Sequence, residues 1–282
     1  MKNLVLRTLT GVIFVAVLTG SILWSALSFT VLFALVTALA AWEFATLVNA
    51  HASAQVNRLI NTVATVYLFL ATAGVCSGLV TSDAFIPYLL TLIYLPVSEL
   101  YLQKPDPLKN WAYAFAIQLY VGIGFSMLAV LAFRYDALAG QVVYESAFPL
   151  SIFLFLWTSD TGAYVCGSLL HKRFPARLFE RISPKKSWVG SIGGGVLCLV
   201  MAWLLHMAWP DLLKLWQWMA LGIVVCVFGT WGDLVESLLK RQLGIKDSGH
   251  ILPGHGGMLD RFDSALLAIP AAVLFHYTLM HF

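Results

Sequence analysis

The sequence predicts an all-α polytopic membrane protein of about nine transmembrane helices, N-terminus cytoplasmic and C-terminus outside. Three observations predict it. Of the 282 residues, 60% are hydrophobic and only 11% are charged. Mean hydropathy is +0.84, and apolar runs long enough to cross a bilayer recur from one end of the chain to the other. Basic residues gather on one side of the alternating topology that those runs define. The net charge of +3 is too small to argue for a nucleic-acid partner.

The apolar stretches lie at roughly 9–27, 29–47, 59–80, 84–102, 112–133, 147–170, 190–209, 216–239 and 264–281. Lys2 and Arg7 precede the first, as in a signal peptide. No clear small-residue cleavage site follows, and further spans come at once, so the reading is an uncleaved first helix. A very short hairpin near Ser28 joins the first two. The eighth extends past the membrane surface through Lys240. With the N-terminus inside, the cytoplasmic segments hold Lys2 and Arg7, Arg58, Lys104 and Lys109, the six basic residues of 171–189, and Lys240, Arg241, Lys246 and Arg261. That is 15 of the 17 basic residues; Arg134 and Lys214 fall outside. The four cysteines all sit in apolar runs with no CxxC, as small packing residues do. Residues 1–282 read as one integral membrane domain: 1–140 offers little beyond hydrophobicity, and 141–282 carries the chemical motifs.

Acids inside greasy segments are the next signal. Glu43, Glu99, Asp160, Asp233 and Glu236 lie in or near the ends of spans, all toward the cytoplasmic side. A carboxylate at a membrane-helix centre costs at least ~2.5 kcal/mol, so each needs a partner or water. Headgroup-solvated interfacial acids fit Glu43 and Glu99 equally well. For Asp160, Asp233 and Glu236 the surrounding motifs favour function. An ion or proton transporter would spread its acids across the membrane depth; here they crowd one side.

Three constellations surround those acids. Ser159-Asp160-Thr161-Gly162 ends the sixth span; it suits a cation, a ribose hydroxyl or a polar packing patch. Ser183-Pro184-Lys185-Lys186-Ser187 places two lysines before a helix N-terminus, a natural anion site, although anionic headgroups would draw the same charge. The glycines that follow, Gly190 and Gly193-Gly194-Gly195, serve phosphate approach or close helix packing. No P-loop pattern is present. Asp233, Glu236, Ser237 and Lys240 then share one helical face, at i, i+3, i+4 and i+7. Beyond Gly244, a loop carries Lys246 and Asp247 into a Pro- and Gly-rich turn holding His255, and Asp260 and Asp263 open the ninth helix. Asp233, Asp260 and Asp263 suit a hard cation such as Mg²⁺, which takes one or two carboxylates plus phosphates and water. The histidines lack zinc spacing, and a salt-bridge cap is the structural alternative.

The run Ser237-x-x-Lys240-Arg241-x4-Lys246-Asp247-x-Gly249-x2-Leu252-Pro253-x-His255-Gly256-Gly257-x2-Asp260-Arg261-x-Asp263 resembles the signature of the phosphatidate cytidylyltransferases, or CDP-diacylglycerol synthases. Asp160-Thr161-x-Ala163-Tyr164, Ser183-Pro184-Lys185-Lys186 and Gly232-Asp233-Leu234-x-Glu236-Ser237 are similar to that family too, so the resemblance covers the C-terminal half. It departs at Ser168 and His171, where the family commonly has Arg and Gly, and at Val189, where it has Glu. The resemblance implies cytidylyl transfer from CTP to phosphatidate at the cytoplasmic face of a bacterial inner membrane. It implies Mg²⁺ or Mn²⁺ (a monovalent cation is compatible) on Asp233, Asp260 and Asp263, and phosphates on Lys185, Lys186, Lys240 and Lys246. Arg241, Arg261, His255, Ser237 and Asp160 are the further substrate-binding candidates. A homodimer fits the family.

Overall fold

The computed structural model describes residues 2–137, 139–170, 172–249, 251 and 256–281. Each of the nine apolar stretches falls on helix. In order these are α1 (Lys2–Trp24), α2 (Ala26–His51), α3 (Arg58–Cys76), α4 (Ile86–Leu102), α5 and α6 (Pro107–Ala116 and Gly124–Ala132), α7 (Ala147–Leu170), α8 (Trp188–Ala208), α9 (Leu215–Gln242), and finally α10 and α11 (Leu259–Phe262 and Ala265–His281). A π-helical segment, Ile117–Ile123, joins α5 to α6.

Among the described residues, seven helices are long and apolar enough to cross a membrane, and the protein is an integral membrane protein. The other two of the expected nine are α1 and α7. The described apolar part of α1, Thr8–Trp24, falls short of spanning length. In α7 the polar run Thr158-Ser159-Asp160-Thr161 interrupts an otherwise apolar helix.

Local chemistry moves some expected boundaries. The first hairpin turns at Ser25, not Ser28. A capping box fixes it: each of Ser25 and Ser28 accepts, on its hydroxyl, the other's backbone N–H at 3.1 Å. Asp263 does not continue a helix from Asp260. It lies between α10 and α11 and accepts the Ser264 N–H on Oδ1 at 2.5 Å. Two short antiparallel hairpins escape an all-helical reading: β1 (Phe133–Asp136) with β2 (Gln141–Tyr144), and β3 (Arg177–Phe179) with β4 (Ser183–Ser187).

The chain forms two compact units. The first comprises Met1–Ser146 and Gln242–Phe262, the second Ala147–Arg241 and Asp263–Phe282. In the first, Phe33, Phe125 and Phe262 meet ring to ring, with Phe262 centred 5.4 Å from Phe125 and 6.4 Å from Phe33. Phe262 thereby anchors the end of the signature stretch in a core otherwise built from helices of the first half.

The second unit is organised around a glycine seam between α7 and α8. A Cβ at Gly194 would meet the Ser159 carbonyl oxygen at 2.7 Å, and one at Gly162 the Gly193 carbonyl oxygen at 2.9 Å. The glycine run therefore serves close helix packing. Backbone atoms cannot move aside as a flexible side chain can. Gly194→Ala is expected to destabilise the protein by about 1–3 kcal/mol, the range of overpacking. Thermal unfolding in detergent reads it, and an unchanged midpoint would contradict the seam.

Candidate active site

In the second unit, α9 presents Asp233, Glu236, Ser237 and Lys240 on one face, as their spacing predicts. The Ser237 hydroxyl lies 3.1 Å from Asp233 Oδ1. The other oxygen of Asp233 is held by the Lys186 ammonium at 2.6 Å. That lysine comes from β4, and its neighbour Ser187 caps α8 by accepting the Gly190 N–H at 3.2 Å. Pairing of β4 with β3, at Arg177↔Ser187 and Phe179↔Ser183, fixes the strand that carries Lys186. Lys185, next along that strand, is exposed.

Gly232 lets α9 approach the chain at Asp263: a Cβ there would lie 2.6 Å from the Asp263 carbonyl oxygen. Asp263 is half-buried, and Asp233, Lys240 and Asp160 act on it electrostatically. The second unit thus collects Asp160, Lys186, Asp233, Ser237, Lys240 and Asp263. Arg241 is exposed in the last turn of α9, where a cation also complements the helix dipole. Glu236, fully buried, forms an ion pair with Lys240. It is the buried partner of that lysine.

The rest of the signature stretch lies in the first unit. Lys246 and Arg261 are exposed, and His255 lies outside the described residues. Asp260 Oδ2 accepts two backbone N–H groups, from Ser248 and from Gly257, each at 2.8 Å. Gly256 has φ +82°, left-handed backbone that favours glycine. Behind this loop stands Glu43 of α2, only 5% exposed. One of its oxygens accepts the Ser248 hydroxyl at 2.6 Å; the other accepts the Met258 and Leu259 N–H groups at 2.6 and 3.1 Å. Glu43 is thus not a solvated interfacial acid. Glu99, the other such candidate, accepts from Lys104 and Asn110 at 2.7 and 2.8 Å.

Among the described residues, no group of three or more His, Cys, Asp or Glu side chains is placed to hold a metal ion. The donor chemistry still fits a hard divalent cation. Asp233 and Asp263 offer carboxylate oxygens within one unit, and Asp233 already faces a cation, the Lys186 ammonium. Mg²⁺ asks for one or two carboxylates, with phosphate and water completing its shell.

Comparison with known proteins decides the family. The cytidylyltransferase family model matches residues 5–279. The chain belongs to the cytidylyltransferase family. Its similar relatives include proteins named phosphatidate cytidylyltransferase from Staphylococcus saprophyticus and Staphylococcus haemolyticus. Both are 43% identical over 152 residues, covering 54% of this chain and 53% of the relative. The protein of that name from Staphylococcus aureus is 41% identical over the same length. The chain thus spans about half the length of the curated relatives it matches. The matched range, residues 5–279, includes the side chains that the second unit gathers around Asp233 and Asp263.

Proposed function

We propose that this protein transfers the cytidylyl group of CTP to phosphatidate, giving CDP-diacylglycerol and pyrophosphate. The observation that carries the reading is the Lys186–Asp233 pair, held with Ser237 and Asp263, in a chain matched by the family over residues 5–279. In the reaction, a phosphate oxygen of phosphatidate attacks the α-phosphorus of CTP. The bond from that phosphorus to the bridging oxygen breaks, and pyrophosphate leaves with the electron pair. A phosphate monoester has its second pKa at about 6, so the nucleophile is largely ionised at neutral pH. No side chain needs to remove a proton.

The barrier is repulsion between two polyanions, together with the need for in-line placement. Lys185, Lys186, Lys240 and Arg241 of the second unit supply positive charge to the phosphates; Lys246 and Arg261 are the signature's further cations, in the first unit. Ser237 offers a hydroxyl, and Asp160 suits a ribose hydroxyl. Asp233 and Asp263 would hold Mg²⁺ or Mn²⁺, which when bound would neutralise phosphate charge; Asp260 is the signature's further carboxylate, in the first unit. The positive-inside asymmetry supports a reaction at the cytoplasmic face, where soluble CTP meets a leaflet lipid, in a bacterial inner (cytoplasmic) membrane. A homodimer is compatible with this reading.

A labelling experiment tests the reaction type. With phosphatidate micelles and Mg²⁺, label on the α-phosphorus of CTP should enter lipid, label on the γ-phosphorus should leave as pyrophosphate, and chelation should stop both. Entry of the γ label into a lipid alcohol instead would replace this reading with phosphoryl transfer.

A further inference from the structure

Glu43 stands 205 residues from Ser248 in sequence, yet their side chains are bonded at 2.6 Å. Both are buried, Glu43 at 5% and Ser248 at 3% exposure. A carboxylate taken out of water is costly unless donors replace its hydration. Three donors do so here: one hydroxyl and two consecutive backbone N–H groups at the start of α10. Negative charge at a helix start is also favourable, though α10 is only a single turn.

The network closes on Asp260. Its N–H donates to the Ser248 hydroxyl at 3.3 Å, the same hydroxyl that donates to Glu43. Its carboxylate accepts the N–H of Ser248 and of Gly257. Ser248 thus touches Glu43 by its hydroxyl, and Asp260 by both its hydroxyl and its backbone N–H. Gly249 and Gly257 belong to the same cradle, because a Cβ on either would run into the Glu43 carboxylate. Those two glycines are required for space, whereas Gly256 beside them is in left-handed backbone.

We infer that Glu43 is a positioning residue that sets the Asp260 carboxylate through Ser248 and the Gly256–Asp260 backbone. The inference rests on the proposed transferase reading only for its consequence, catalysis through Asp260; the clamp itself stands on contacts within the first unit.

Hydrogen exchange and kinetics on the full-length protein in detergent test the two parts separately. Glu43→Gln keeps the shape and removes the charge that three donors face. Amide exchange over residues 256–260 should rise about tenfold or more, and kcat should fall by a similar factor. In an Asp260→Asn background, the same change should alter kcat less than about twofold, since Glu43 acts through Asp260. Ser248→Ala, which removes the hydroxyl's contacts with Glu43 and the Asp260 N–H but leaves the Ser248 N–H on the Asp260 carboxylate, should shift exchange and kcat in the same direction if Glu43→Gln folds poorly. Unchanged exchange over 256–260 in both variants would overturn the clamp. Equal kcat losses with and without the Asp260 carboxylate would overturn its catalytic role. Raised exchange in a protein whose wild type transfers no cytidylyl group would support the clamp and remove the function reading instead.

Discussion

Asp233→Asn should lower cytidylyl transfer by about 10²–10³-fold, the scale of losing one preorganised electrostatic contact at a reacting centre. Asparagine keeps the size of the side chain and can keep the Ser237 contact on one oxygen. What it loses is the charge opposite Lys186. Two consequences separate a metal-holding role from a packing role. The Mg²⁺ concentration for half-maximal rate should rise in the variant, because one of the carboxylates has gone. The unfolding midpoint should change little, because Asp233 is only part-buried. Steady-state rates across a Mg²⁺ titration read both. Full turnover with an unchanged Mg²⁺ requirement would remove Asp233 from the machinery.

Lys186→Gln should show the same dissociation between activity and stability. The Lys186 and Asp233 side chains are 25% and 32% exposed. An ion pair so open to solvent contributes about 0–1 kcal/mol to stability. Against the triphosphate of the proposed substrate the same cation counts for more, so transfer should fall by roughly 10²-fold. Lys186→Arg should recover part of that loss, since it restores charge without the compact ammonium. Parallel kinetics and thermal unfolding of the three proteins check this. A stability loss in Lys186→Gln as large as the activity loss would make the pair structural.

Much of the fold was legible because membrane helices announce themselves by length and hydrophobicity. All nine stretches are helical, and α9 reaches past Lys240 to Gln242 as its charged end suggested. The i, i+3, i+4, i+7 face of α9 was readable too, since helical spacing alone puts Asp233, Ser237 and Lys240 together. The two hairpins were not readable from apolar periodicity. They are short, polar and set by local pairing, as in Ser183–Ser187 opposite Arg177–Phe179. The role of the glycine run was left open between phosphate approach and packing, and only the carbonyl oxygens facing Gly162 and Gly194 decide it.

Glu43 and Ser248 were missed as site-supporting residues. An acid in the middle of an apolar helix was the available signal. Its partners, however, are two backbone N–H groups and a serine some two hundred positions away, which no spacing rule reaches. Glu236 shows the converse. Its motif suggested chemistry, and its complete burial against Lys240 makes it a support for that lysine.

Product stoichiometry tests cytidylyl transfer by the purified protein most directly. Protein in detergent is given CTP, phosphatidate and Mg²⁺, and CDP-diacylglycerol and pyrophosphate are quantified by mass spectrometry and a coupled assay. One pyrophosphate should form per CDP-diacylglycerol, with both products lost on chelation and strongly reduced in Asp233→Asn. Folded protein that forms neither product, or that releases pyrophosphate without CDP-diacylglycerol, would contradict it.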